Sequence, residues 1–176
     1  MRRFAALALI LAVPAPLCAE LVPELGGGEC VPFARTISGV QIYGNAWTWW
    51  DQAAGRYDRG HAPRPGAVLV FRPHGGMKLG HVSVVSRIVG PRILMVTHSN
   101  WSRIDGTRGH VERDVTLTDV SAAGDWSEVK VWYHGNAALG GSTYPTYGFI
   151  YGRNAPSPAL SGDDPDYIGA VIDAVG

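Results

Sequence analysis

The chain predicts an α+β domain in which N-terminal helices pack on an antiparallel β-sheet. Helical signals are confined to residues 30–55. Strand-like alternation takes over after Pro63-Arg64-Pro65-Gly66, and 23 glycines and 12 prolines break the remainder into short elements joined by turns. Helices first and turn-linked strands afterwards give that class.

Taken in order, residues 1–19 have the build of an export signal: Met1-Arg2-Arg3 is the positive start, 4–13 the apolar run, and Leu17-Cys18-Ala19 the small-residue exit. The run is too short to span a bilayer, and no later stretch is apolar enough, so a periplasmic or secreted protein is expected rather than an integral membrane protein. Cys18 offers a lipoprotein alternative, against which stands bulky Leu17 where such sites take a small residue. A first helix opens at Cys30, with Pro32 near its start, where a missing amide hydrogen costs little, and Ser38-Gly39 ends it. A second helix is predicted over 45–54, with Asn45 as its N-cap, Ala46, Trp49, Trp50 and Ala53 at helical spacing, and Gly55 as its close. Strands follow over 67–71, 81–88, 92–98, 128–133 and 147–151. One domain over 25–154 accounts for all of them, and Ala155-Pro156-Ser157-Pro158 begins a linker and short C-terminal helix or tail over 155–176.

Composition excludes some functions. Fifteen basic and fifteen acidic side chains give a formal charge of zero, which provides no footprint for nucleic acid or anionic lipid. Asp163-Asp164-Pro165-Asp166 lacks the glycine and terminal glutamate of a calcium loop and reads as solvated surface.

The chemistry centres on Cys30, the single cysteine left once 1–19 are removed. Exported proteins favour even numbers of cysteines tied into disulfides, so an unpaired thiol at a helix start is a candidate nucleophile. Helix N-terminal amides and an adjacent imidazolium would lower its pKa, and its own amide is a natural donor to an oxyanion. A buried, inert thiol is the bland alternative. Among six histidines, His61, His74, His81, His98, His110 and His134, His81 stands out. Gly80 precedes it and Val82-Ser83-Val84-Val85 continues it as a strand, which would hold a general base rigidly. In Thr97-His98-Ser99-Asn100-Trp101, alternation puts His98 and Asn100 on one face, and either could accept a hydrogen bond from His81.

Of the tryptophans, Trp101 and Trp47 are candidate glycan contacts, while Trp49 and Trp50 have core spacing. The loop 72–78, with His74-Gly75-Gly76, should border a cleft. A zinc-dependent amidase is a competing class, but no His-Glu-x-x-His pair exists, and a catalytically silent binding module is another.

The blocks Cys30-Val31-Pro32-Phe33-Ala34-Arg35, Gly44-Asn45-Ala46-Trp47-Thr48-Trp49-Trp50, Pro65-Gly66-Ala67-Val68-Leu69-Val70-Phe71, Gly80-His81-Val82-Ser83-Val84-Val85 and Asn100-Trp101 together resemble the CHAP family, the cysteine- and histidine-dependent amidohydrolases/peptidases. Tyr147-Gly148-Phe149-Ile150-Tyr151 is similar to that family's closing strand. The resemblance implies a papain-like fold over 25–154 and hydrolysis of an amide bond in peptidoglycan, by an amidase at the muramoyl-L-alanine bond or an endopeptidase in the stem or cross-bridge. It implies Cys30 as nucleophile, His81 as base and Asn100 as the orienting residue. Where the family often has glutamate this chain has His98, and a histidine third member is similar to NlpC-type endopeptidases, so His98 competes with Asn100. Neither metal nor cofactor is implied. The implied partner is peptidoglycan, with an inhibitor or recruiting protein as a further one, and the chain is expected to act as a monomer.

Overall fold

The computed structural model describes residues 28–153. The expected signal peptide at 1–19 with its Cys18, and the expected linker and tail at 155–176 with its acidic patch, lie outside the described residues.

Helix α1 spans Cys30–Ser38. Pro32 falls in its first turn, where amide hydrogens have no helical acceptor, and Gly39 at φ 71° turns the backbone left-handed, returning its N–H to the Arg35 carbonyl. The second expected helix shrinks to a 3-10 turn, Ala46–Thr48, and one α-turn, α2, Trp49–Gln52. Asn45 makes no side-chain cap. The Trp47 N–H goes instead to the Leu79 carbonyl at 3.1 Å, so a tertiary contact takes the place of a longer helix.

Eight strands follow: β1 Asp58–Gly60, β2 Val68–Phe71, β3 His81–Gly90, β4 Ile93–Ser99, β5 Val111–Asp119, β6 Glu128–Tyr133, β7 Ala138–Leu139 and β8 Tyr144–Tyr151. They pair antiparallel in the order β1-β8-β2-β3-β4-β5-β6-β7, and β8 also pairs with β6. That last ladder, Glu128 opposite Pro145 and Val129 opposite Tyr144, closes β2, β3, β4, β5, β6 and β8 into a six-stranded barrel.

The expected α+β, papain-like arrangement of N-terminal helices on an antiparallel sheet is therefore overturned. The protein is mostly β, a closed barrel accompanied by two short helices. Two features hidden in the sequence cause the difference. Strand β5 was not expected, because Glu112-Arg113-Asp114 breaks its alternation, yet it bridges β4 to β6. Strand β8 starts at Tyr144, ahead of the expected 147, and those added residues reach β6. Bulges near Val70/Phe71, Val85/Arg87 and Val96/His98 add the local twist that lets a six-stranded sheet coil shut.

Alternation along the wall makes two cores. Leu69, Phe71, Val85, Leu94 and Phe149 belong to the barrel interior, while Val68, Val70, Val82 and Val84 pack against Phe33, Ala34 and Ile37 of α1. Each fully buried side chain of this kind contributes roughly 1.5–3 kcal/mol. Helix α1 is thereby fixed along β3 and β4, and Cys30 at its head comes to the end of the barrel where β3 begins.

Candidate active site

Gly80 controls the entry to β3. Its φ is +68°, and a Cβ there would lie 2.8 Å from the Phe71 carbonyl oxygen and 2.9 Å from the Trp47 nitrogen, so a side chain does not fit. His81 follows immediately, paired with Phe71 across the ladder. Its ring is enclosed by Phe71 at 5.5 Å, Trp101 at 4.9 Å and His98 at 5.1 Å between centroids, and the residue is buried.

Cys30 meets that strand directly. The backbone amides of Val82, the residue after His81, and of Cys30 and Val31 act on the sulfur to favour its thiolate. Cys30 and His81 line one cavity of about 980 Å³. Burial pushes the thiol pKa up from its ordinary value, with the neighbouring Glu29 carboxylate adding to the rise, and the amide hydrogens oppose this without overcoming it. The lowered thiol pKa expected of a helix N-terminus is thus reversed. Desolvation of the sulfur outweighs the amides because Cys30 is part of the packed face between α1 and the barrel wall.

Behind His81 stands His98. Its Nδ1 lies 3.0 Å from His81 Nε2, and its fully buried ring is stacked on Trp101 with a 24° interplanar angle. Burial pushes the His98 pKa down to about 3. His81 is held well below the usual imidazole range by burial first, then by His98 and the Arg108 guanidinium. Both rings are therefore neutral at physiological pH. One must donate and the other accept across the shared contact; a His81 that is to receive a proton on Nδ1 carries its hydrogen on Nε2 and donates it to His98.

Asn100 goes elsewhere. Strand β4 ends at Ser99, and Asn100 takes a left-handed φ of 67°, which carries its side chain out of the alternation that put it beside His98. Its Nδ2 donates to Glu29 Oε2 at 3.1 Å. Trp101 lines the cavity but is only 7 % exposed, wedged among His81, His98, Phe71 and Tyr144. Trp47, 38 % exposed, sits beside Leu79 and is not among the cavity-lining residues. The glycine-rich loop borders the cavity as its sequence suggested, through His74, Gly75, Gly76 and Lys78.

Sequence reasoning missed Glu29, Arg103, Arg108, Tyr133 and Tyr144 in the lining. For the two arginines a signal existed. Asp105-Gly106, at φ 49° and 79°, makes a two-residue hairpin turn between Ile104 and Thr107, and Asp-Gly is a strong marker of such turns. That turn folds Arg108 back onto Asn100 and Trp101. Among the described residues no group of three or more His, Cys, Asp or Glu is placed to hold a metal ion, and no helix is long and apolar enough to cross a membrane.

A thiol held against a strand that carries an imidazole, with a second imidazole behind the first, is equipment for acyl transfer. The CHAP domain family model matches residues 23–100, the segment that carries Cys30, His81 and His98. The family is associated with hydrolysis of peptidoglycan. No curated protein matches the chain.

Proposed function

We propose that this protein is a cysteine-dependent peptidoglycan hydrolase that cuts an amide bond, either as an N-acetylmuramoyl-L-alanine amidase or as a stem or cross-bridge endopeptidase. The observation that carries the proposal is that Cys30, at the head of α1, and His81, at the start of β3 with His98 behind it, line one cavity. The export signal expected at 1–19 supports action in the periplasm or outside the cell.

The resting pair is neutral, since burial disfavours both the thiolate and the imidazolium. As the sulfur attacks the substrate carbonyl, its proton passes to His81 Nδ1. The resulting oxyanion is met by the Cys30 amide at the head of α1. His81 then gives the proton to the departing amine, leaving a thioester. Water, deprotonated by His81, attacks that thioester; the proton returns to sulfur, and the carboxylic acid is released. His98 orients His81 throughout, through its Nδ1. Asn100 holds Glu29 instead.

Purified sacculi provide the test, read by mass spectrometry of released muropeptides. Wild-type protein should solubilise them, and Cys30→Ala should lose at least about 1000-fold in rate while keeping its thermal unfolding transition. A free muramoyl end identifies an amidase and a new stem terminus an endopeptidase. Release by Cys30→Ala at the wild-type rate would overturn the proposal.

A further inference from the structure

The cavity that holds Cys30 and His81 is basic, although the chain as a whole has no net charge. Lys78, Arg103 and Arg108 line it, against Glu29 as its one acidic side chain. Arg108 is the best fixed of the three. Its Nη1 donates to the Trp101 carbonyl at 2.7 Å and reaches the Asn100 carbonyl at 3.4 Å. Those residues follow directly on β4, and the Trp101 ring packs on both His81 and His98. The guanidinium is therefore tied to the wall beside the imidazole, close enough for its charge to depress the proton affinity of His81. Among the described residues the one ion pair is Arg92 with Asp119, so no carboxylate there neutralises Arg108. With Nη1 anchored, the other guanidinium donors of this cavity-lining residue have no acceptor among the described residues, and such a planar fork matches a carboxylate.

Glu29, next to Cys30 in the chain, has its Oε2 taken by the Asn100 amide, so with three cationic side chains against one carboxylate the lining attracts an anionic group on the ligand.

We propose that Arg108 is a specificity-determining residue that binds a free carboxylate of the substrate next to the amide attacked by Cys30, so that the cleft selects an acidic peptide stem over the same stem with a carboxamide in that position. The proposal rests on the hydrolase function above. Its test is a pair of synthetic muropeptides identical except for carboxylate or carboxamide beside the scissile bond, assayed with wild type, Arg108→Gln and Arg108→Lys. Wild type should prefer the carboxylate by about tenfold in kcat/KM, mostly through KM, as expected of one charge-assisted contact in a partly wet cleft. In Arg108→Gln the ratio should collapse to near one, and Arg108→Lys should regain part of it.

A wild-type ratio near one with measurable turnover overturns the inference and leaves the hydrolase standing. So does an Arg108→Gln protein that slows on both peptides equally, since that marks the arginine as a tie for its loop alone. If wild type turns over neither peptide, the hydrolase proposal fails, and the inference is decided by calorimetric titration of both peptides into Cys30→Ala and into Cys30→Ala/Arg108→Gln. A tenfold difference in Kd that vanishes with Arg108 upholds it; equal Kd values in the first protein overturn it.

Discussion

A histidine buried as a neutral ring should make the protein sensitive to mild acid, and His98 allows the size of the effect to be worked out. Its pKa falls from 6.5 to about 3 because burial in the barrel strips solvent from the charged form. The folded state therefore resists a proton that the unfolded chain accepts below pH 6.5. With the folded pKa depressed, the stability involved is fully present above 6.5 and is lost as pH falls toward 3. Between pH 7 and pH 5 the unfolded histidine gains about three quarters of a proton and the folded one almost none, and integrating the difference at 1.36 kcal/mol per pH unit gives a loss of about 2 kcal/mol. Urea unfolding followed by the fluorescence of the six tryptophans, at both pH values, measures it. His98→Gln keeps a polar side chain next to His81 but removes the titration. Carboxylates and the histidines away from this pair titrate alike in both proteins and cancel in the double difference, and His81, held low by burial first, stays low in the variant, so the wild type should lose about 2 kcal/mol more than the variant over this interval. Equal losses would refute the burial of a neutral His98, whatever the absolute stability of the variant.

Further expectations concern the thiol, its orienting partner and the glycine ahead of His81. Burial pushes the Cys30 pKa up, so iodoacetamide labelling should be slow at pH 6 and climb through pH 9. Rapid labelling in mild acid, measured by intact mass, would instead reveal a preformed thiolate. Removing the partner that faces His81 should matter more than removing the one that does not: His98→Ala should lower kcat by about 10- to 100-fold, and Asn100→Gly, which suits the left-handed backbone, by much less. The reverse order in a muropeptide release assay would restore Asn100 as the orienting residue. Gly80→Ala forces a Cβ against the Phe71 carbonyl at a φ of +68° and should destabilise by about 1–3 kcal/mol in urea titration. Unchanged stability would mean the turn into β3 tolerates side chains.

How much of this the sequence disclosed depended on whether a signal was local. The start and end of α1, Gly80 before a rigid strand, and Cys30 with His81 were legible because each rests on neighbouring residues: a proline in a first helical turn, a glycine at a left-handed cap, alternation after His81. Which of His98 and Asn100 contacts His81 was not. Alternation treats them as equivalent, and the distinction arises where β4 ends at Ser99 and the backbone of Asn100 turns left-handed. Nor was barrel closure legible, because it depends on the pairing of Glu128 and Val129, at the start of an expected strand, with Pro145 and Tyr144, which lie ahead of the expected last strand and have no alternation to announce one. Trp101 read equally well as glycan platform or core, and contacts from four separate elements make it the packing surface of the histidine pair.

Closure also explains why the expected electrostatics of the nucleophile came out with the wrong sign. Viewed as a helix terminus in water, Cys30 has amides to stabilise a thiolate and little to oppose them. Once β6 and β8 join, the interior packs around Phe71, Trp101 and Tyr144, and the His81 and His98 rings stand in an apolar surround. On the other face of β3, α1 seals Cys30 against Val82 and Val84. Desolvation then acts on the sulfur and on both imidazoles together, favouring the neutral form of each. In the proposed mechanism a pair so placed exchanges its proton when a developing oxyanion and an incoming acyl group supply compensating charge. The same burial that keeps the thiol quiet before substrate arrives thus makes the fold yield to acid, and one structural cause links the labelling profile of Cys30 to the pH dependence of unfolding at His98.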